Sequence, residues 1–413
     1  MKIAMFSDCY LDLVGGIVST MNTEKAELEK RGHTVEIFSS AYPRSKKVKA
    51  EMAKNNIFPV PSCKLFFRGA TPVAHRPAII ERWLLKHHPE LKDFDVFYVH
   101  YEAGCSIAGL RLAKKLGIPS VQVMHGREDI GEDKLIPPGF RTFVAANLNW
   151  FHSWYLPHTH KVKRDDYLAN NIAKAKMWTL MVNHANYADI VVTPSEHFKQ
   201  KLVHYGVTKK VVPLHHGLAE KRIAGTIKPK ELKPGETLNI IWHSRVSGEK
   251  RPFVFLEALD ILQKDYHKKN YYLNAYGPGP DLNRAIIYAK AHRLNVKFHG
   301  GKPFDTVWEM MQKSHLDVLI STFDTFGMTL IEAEAAGLPS LIVDEDMKEI
   351  LPPNSYCLAD GTEAEDIAKA LNDLLEHPER IKKMSEILVE SRPRLNIKYK
   401  IDALEKIFKE LNK

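Results

Sequence analysis

Residues 316–344, LDVLISTFDTFGMTLIEAEAAGLPSLIVD, carry the reading that decides the fold. LDVLIS (316–321) is an apolar run of buried-strand length, Gly327 opens a helical segment, Gly337 and Pro339 stop it, and PSLIVD (339–344) starts a second strand. A strand that returns through a helix lies parallel to the first, and parallel sheets are covered by helices on both faces. The same alternation extends in both directions. NIIWHS (239–244), YYLNAYG (271–277) and NVKFHG (295–300) precede this unit. KIAMF (2–6), TVEIFS (34–39), VFYVH (96–100), SVQVM (120–124), DIVVT (189–193) and KVVPL (210–214) form an earlier set. The expected class is α/β, with two doubly wound parallel sheets.

The chain has 413 residues, more than the roughly 250–300 that one core usually serves, so two domains are expected. Residues 217–236, GLAEKRIAGTIKPKELKPGE, lie between the two strand sets, are rich in Gly, Pro and Lys and have no apolar period, which places the linker there. No run approaches the ~18–20 apolar residues that span a bilayer, and MKIAMFSDCY lacks the features of a signal peptide. A cytoplasmic protein is expected. Cys9, Cys63, Cys105 and Cys357 are widely spaced and form no C-x-x-C pair, which argues against a disulfide scaffold or structural zinc. With 59 Lys and Arg against 50 Asp and Glu, the net charge of +9 favours an anionic partner: nucleotide, phosphate, nucleic acid or acidic membrane.

Several strand ends carry residues suited to an anionic ligand. Gly15 and Gly16 precede a helix after the first strand and would let backbone amides approach an anion, although an ordinary tight turn has the same sequence. His125 follows SVQVM, at the strand end that lines the crevice of an open parallel sheet. His152, His158 and His160 lack a matching carboxylate or cysteine set for a metal. After NIIWHS, Arg245 and Lys250 can grip a diphosphate as fork and point charge; a solvated charged loop is the plainer alternative. YGPGPD (276–281), with Gly277, and HGGKP (299–303), with Lys302, are Gly-rich turns after successive strands. In the opening stretch Asp324 can accept from sugar hydroxyls, the amides of Gly327, Met328 and Thr329 can face phosphate, and Glu332 can accept from a ribose. A carboxylate within the apolar run MTLIEAEAA needs a partner if buried.

Taken in order, the Gly15-Gly16 loop, strand-end His125, TPSEHFK (193–199), Arg245 with Lys250, the two Gly-rich turns and the pair Asp324 and Glu332 resemble the retaining, nucleotide-sugar-dependent glycosyltransferases of family 4 over nearly the whole chain. Two departures stand out. Asp324 occupies a position where the family usually has Glu, and Leu214-His215-His216-Gly217 stands where it more often shows Asn before Gly. The resemblance implies a GT-B fold, two Rossmann-like domains facing across a cleft: 1–222 for the acceptor, 223–390 for the nucleotide sugar, and a C-terminal helix in 391–413 crossing back to the first domain. That helix places Ile397, Ile401, Leu404, Phe408 and Leu411 on one face. It further implies His125 and Asp324 as catalytic residues at the transferred sugar, and Gly15, Gly16, Arg245, Lys250, Gly277, Lys302, Gly327, Met328, Thr329 and Glu332 as donor-binding residues. Fixed cations in place of a metal, no cofactor, and UDP-glucose as the expected donor substrate follow from the same likeness, with a hexose passed to a hydroxyl of a lipid or cell-surface glycan.

The acceptor is the thinner part of the reading. Residues 131–185 insert helix-like sequence with Phe143, Trp150, Phe151 and Trp154 at helical spacing beside Lys161, Lys163 and Arg164. With KLFFR (64–68), they suit an anionic membrane surface and a peripheral place on the inner face of the cell membrane, as in family members that glucosylate diacylglycerol. The four aromatics are equally consistent with the packed face of a helix, and a protein or wall-polymer acceptor stays open. No nucleic-acid partner is expected. A dinucleotide-dependent oxidoreductase is the rival from another class, opposed by the lack of G-x-G-x-x-G after either first strand; a non-catalytic basic module is the third reading.

Overall fold

A computed structural model describes residues 1–8, 16–40, 50, 52–65, 71–127, 136–166 and 168–413. Gly15, Cys9, Glu128 and much of KLFFR lie outside the described residues. The chain divides into two compact units, Met1–His216 with Ile397–Lys413, and Gly217–Asn396.

The first unit runs β1 (Lys2–Ser7), α1 (Gly16–Lys30), β2 (Thr34–Ser40), β3 (Ile57–Val60), β4 (Ser62–Leu65), β5 (Thr71–Ala74), α2 (Pro77–His87), β6 (Val96–His100), α3 (Gly104–Leu116), β7 (Ser120–Val123), α4 (Arg141–Ser153), α5 (Ile172–Tyr187), β8 (Ile190–Thr193), α6 (Glu196–His204) and β9 (Lys210–Pro213). The second runs α7 (Glu220–Ile223), β10 (Leu238–His243), α8 (Pro252–Lys264), β11 (Tyr271–Tyr276), α9 (Leu282–Ala291), β12 (Val296–Gly300), α10 (Phe304–Lys313), β13 (Leu316–Leu319), α11 (Met328–Ala335), β14 (Ser340–Ile342), β15 (Tyr356–Leu358), α12 (Ala364–Glu376) and α13 (Glu379–Ser391). Helix α14 (Ile397–Leu411) then returns to the first unit.

Among the described residues the first sheet has the order β3-β2-β1-β6-β7-β8-β9 and the second β12-β11-β10-β13-β14-β15. Every pairing within these two sheets is parallel. Each order reverses direction once, between β1 and β6 and between β10 and β13, and ligands bind parallel sheets outside the carboxyl ends at such switch points. His100 ends β6 and His243 ends β10. Four short strands, β3, β15 and the antiparallel pair β4 and β5, were not among the expected elements; β3 and β15 hold only four and three residues, too short for a periodic signal.

The residues read as a linker fold onto the second unit. Leu218 and Leu232 are buried, and Lys230 is buried with its Nζ donating to the Gln312 carbonyl at 2.6 Å. Burial pushes this ammonium down to about 8. The unit boundary therefore falls at His216, earlier than residue 222, because Leu218 joins a core of Leu319, Phe326, Leu330 and Leu395. Helix α14 packs by Ile397, Ile401, Leu404, Ile407 and Phe408 into the core formed with Ile3, Met5, Tyr98 and Val121. Each such side chain stabilises by roughly 1.5–3 kcal/mol when fully buried. Arg31 to Asp402 at 2.5 Å and His33 to Glu405 at 2.9 Å fix its register on the first unit.

The insertion divides into two different helices. Helix α5 is core, with Trp178 fully buried, whereas α4 buries only Ala145 and His152. Phe143, Trp150 and Trp154 are 67%, 57% and 59% exposed, which overturns the packed-face alternative for these three; Phe151 is half-buried against Tyr155. Cys105 and Cys357, the cysteines whose side chains are described, are buried and free.

Candidate active site

At the switch point of the second sheet, β10 and β13 lie side by side with Ile241 opposite Asp317. Their carboxyl ends deliver two loops, 244–251 and 320–327. The first tightens into a single turn over Gly248–Lys250, with Arg251 left-handed at φ 56 before Pro252 starts α8. This turn carries Lys250 to Asp324 of the second loop, where Nζ donates to Oδ1 at 2.6 Å and Oδ2 at 2.8 Å. Both side chains are mostly covered, and Lys250 also sits 5.7 Å from the Phe323 ring centre. Arg245 extends with its side chain 68% exposed and a 3.2 Å contact to Glu249, leaving the guanidinium accessible.

Gly327 begins α11 at φ 67, and a Cβ there would lie 2.8 Å from Leu319 Cδ2. Only glycine suits both the backbone and the space. With no side chain capping the helix, the amides of Met328 and Thr329 belong to the helix start, where donors lack intrahelical partners and the dipole is positive. Glu332 follows one turn later. It meets His243 at 3.5 Å from Nε2, while His243 Nδ1 lies 3.1 Å from Asp317 Oδ1. Asp317 is fully buried, and its Oδ2 accepts a hydrogen bond from Ser340 Oγ at 3.0 Å. Burial by itself would lower the His243 imidazole, but the Asp317 carboxylate and then Glu332 outweigh it and hold it up at about 10. His243 is therefore a fixed cation at the strand end.

The first Gly-rich turn has a reason inside the chain, whereas Gly300 and Gly301 of the second have room for a Cβ. A Cβ on Gly277 would come within 2.0 Å of the Ser244 carbonyl, and one on Gly279 within 2.0 Å of the Val246 carbonyl. The Val246 amide donates to the Pro278 carbonyl at 3.0 Å and the Asp281 amide to the Val246 carbonyl at 3.1 Å, so this turn braces the loop that bears Arg245. Lys302 is exposed beyond β12. The second acid of MTLIEAEAA behaves differently from the first: Glu334 is fully buried and gripped by Arg394, with Nε 2.7 Å from Oε1, and by Ser391 Oγ at 2.8 Å.

In the first unit Gly16 is exposed at the start of α1. Asp8, beyond β1, accepts from the amides of Ala103, Cys105 and Ser106 and from Ser106 Oγ, which closes the N-terminus of α3. His125, beyond β7, stands in a column of imidazoles with His100 and His216. Burial, then the Lys400 ammonium, pull it down to about 3, so it is neutral. His152, His158 and His184 form a second chain, with 2.7 Å and 3.1 Å contacts ending on Gln122, and His160 is not in it.

Comparison with known proteins settles the family. Residues 14–222, just over half of the chain, match the family model described as Glycosyltransferase Family 4. The chain belongs to this family. Residues 224–388 match that of Glycosyl transferases group 1. Alpha-monoglucosyldiacylglycerol synthase of Acholeplasma laidlawii is 23% identical over 427 residues, covering 100% of both chains, and the protein of that name from Streptococcus pneumoniae is 26% identical over 356 residues, covering 82% of this chain and 70% of that one. Anabaena Alr3699/HepE in complex with UDP superposes with a TM-score of 0.68 at 13% identity, covering 99% of this chain and 100% of that one. TarM does so at 0.70 and 12%, covering 98% of each. The fold is GT-B, and the protein is a glycosyltransferase.

For this family 4 glycosyltransferase, the sequence singles out Lys250, Asp324, Gly327 and Glu332, and the second unit brings them to the carboxyl ends of the central strands β10 and β13. Sequence reasoning missed His243 and Asp317. Both carried a signal: His243 ends a strand as His125 does, and Asp317 is a carboxylate inside the apolar run LDVLIS. Lys400 also went unread, although it falls three residues after Ile397 and four before Leu404, on the apolar face of α14.

Proposed function

We propose that this glycosyltransferase moves glucose, with retention, from UDP-glucose to a lipid hydroxyl at an anionic membrane surface, without a metal ion. The observation that carries the reading is the convergence of Lys250, Asp324, the α11 start and Glu332 on the switch point of one sheet. Lys250 and Arg245 would take the diphosphate together with the amides of Met328 and Thr329. These charges meet the electrostatic demand of a departing diphosphate that a divalent ion otherwise meets. Asp324, released from Lys250 when phosphate arrives, would accept from a sugar hydroxyl, and Glu332, braced by His243, from the ribose. In the first unit neutral His125 would meet the attacking hydroxyl. The acceptor oxygen bonds to the anomeric carbon as its bond to the phosphate oxygen breaks; the electron pair leaves with UDP, and the hydroxyl proton passes to that phosphate on the same face.

The lipid assignment draws on α4. Phe143, Trp150 and Trp154 are exposed, the last two packed edge to face at 4.1 Å, and Lys161, Lys163 and Arg164 are exposed nearby in sequence. Amphipathic aromatics with flanking cations suit the headgroup region of an anionic leaflet. The names of the Acholeplasma and Streptococcus relatives point the same way. Among the described residues no helix is long and apolar enough to cross a membrane. The test is transfer from labelled UDP-glucose to diacylglycerol in phosphatidylglycerol vesicles with chelator present. An α-glucosyl lipid is expected. A β-linked product, dependence on added magnesium, or transfer to soluble glycans with none to lipid would each overturn the corresponding part.

A further inference from the structure

We propose that Lys400, carried by the C-terminal helix, is a positioning residue for His125: clamped by Glu24, it closes one end of a column of three imidazoles and holds His125 as a neutral hydrogen-bonding group. The proposal rests on the role given to His125 above. Lys400 and Glu24 are 1% and 0% exposed, and their charged atoms are 2.5 Å apart. The two form a buried ion pair, in which losing either partner would strand the other charge. The remaining reach of Lys400 Nζ is to His216 Nδ1 at 3.0 Å.

That contact fixes chemistry further along. An ammonium only donates, so His216 Nδ1 accepts and its ring proton sits on Nε2. A second cation on His216 would face the first at hydrogen-bonding distance. The His216 ring lies 5.9 Å from that of His125 at 13°, and His125 lies 5.1 Å from His100 at 21°. His100 Nδ1 and His125 Nε2 are 2.8 Å apart and share one proton. Among the described residues, the groups around this column include Lys400 from α14, which touches His216 and pairs with Glu24 of α1; Tyr98 of β6, whose ring lies 4.3 Å from that of His100 and which Glu24 also reaches; and His215 beside His216. Glu24 is the anion among them, and Lys400 already compensates it. Burial first pushes His100, His125 and His216 down; the Lys400 ammonium comes next for His125 and His216, and for His100 it follows the neighbouring His125.

Helix α14 thus contributes a charge as well as an apolar face. His125 then meets a hydroxyl without titrating in the neutral or mildly acid range. Lys400→Met removes the cation that stands between Glu24 and His216 and leaves a buried carboxylate without its partner at the end of the column, so an imidazole of the column becomes its counter-ion. Histidine ring NMR should show the column flat between pH ~5.5 and ~8 in the wild-type chain and at least one of its members titrating there in K400M. Transfer by K400M should gain an acid limb, falling about tenfold per pH unit below the new midpoint, which wild type lacks. The double variant E24Q/K400M, which removes both charges, should lose the limb again, and Lys400→Arg should keep the wild-type profile.

An ordinary titration of the column in wild type, or a K400M profile equal to wild type in a folded protein, would overturn the proposal. So would persistence of the limb in E24Q/K400M. Should K400M not fold, the wild-type titration and the double variant still decide. Absence of transfer by wild type from any nucleotide sugar would instead reject the role of His125, with the NMR titration still judging the column.

Discussion

Replacing His243 by Gln isolates the electrostatics of the second unit's switch point. Its imidazole is held at about 10 against an ordinary 6.5, with the side chain 3% exposed and Asp317 beside it fully buried. At about 1.4 kcal/mol per pH unit, that rise corresponds to roughly 5 kcal/mol of native-state preference for the charged form. An independent route gives a similar size, since removing one partner of a buried pair costs ~3–5 kcal/mol. The folded value lies above the unfolded one, so the contribution is complete below pH 6.5 and disappears as pH climbs through 10. Denaturant unfolding of wild type and H243Q across this range should therefore show a gap of ~3–5 kcal/mol at the acid end that narrows steadily toward the alkaline end. A gap under ~1 kcal/mol at the acid end, or one that stays constant with pH, would refute the assignment of His243 as a fixed cation.

Three further outcomes are expected. Lys250→Ala should lower kcat/KM for the nucleotide sugar by about 100-fold or more, the scale of losing one charged donor to a leaving group; a change under about threefold would remove Lys250 from the site. Gly327→Ala forces a left-handed alanine against Leu319, at ~1–2 kcal/mol for the backbone alone, so thermal melting should fall by several degrees and UDP should stabilise the variant less than wild type. An unchanged melt would show that the cap does not need glycine. Trp150→Ser with Trp154→Ser, both at exposed positions, should leave the melt unchanged and reduce sedimentation with phosphatidylglycerol vesicles, which in wild type should weaken with salt; equal sedimentation of the two proteins would take α4 out of membrane docking.

Order and spacing along the chain were enough to read the alternating strands, the Gly-led start of α11 and the pairing of Arg245 and Lys250 with the end of β10, because each is set by local periodicity or by a turn a few residues long. The same holds for the apolar face of α14, whose period is visible in Ile397, Ile401, Leu404 and Phe408. Partners far apart in sequence were decided only by tertiary structure. Lys250 meets Asp324 across 74 positions, and Lys400 meets His216 across 184. Such contacts depend on which strands become neighbours at a switch point and on where the last helix docks. Tertiary structure also separated residues that look alike: Glu332 beside a buried imidazolium from Glu334 clamped by Arg394, and the exposed aromatics of α4 from the core of α5. Burial and the nearest opposite charge determine what a carboxylate, an imidazole or an indole does, and both are properties of the packed chain.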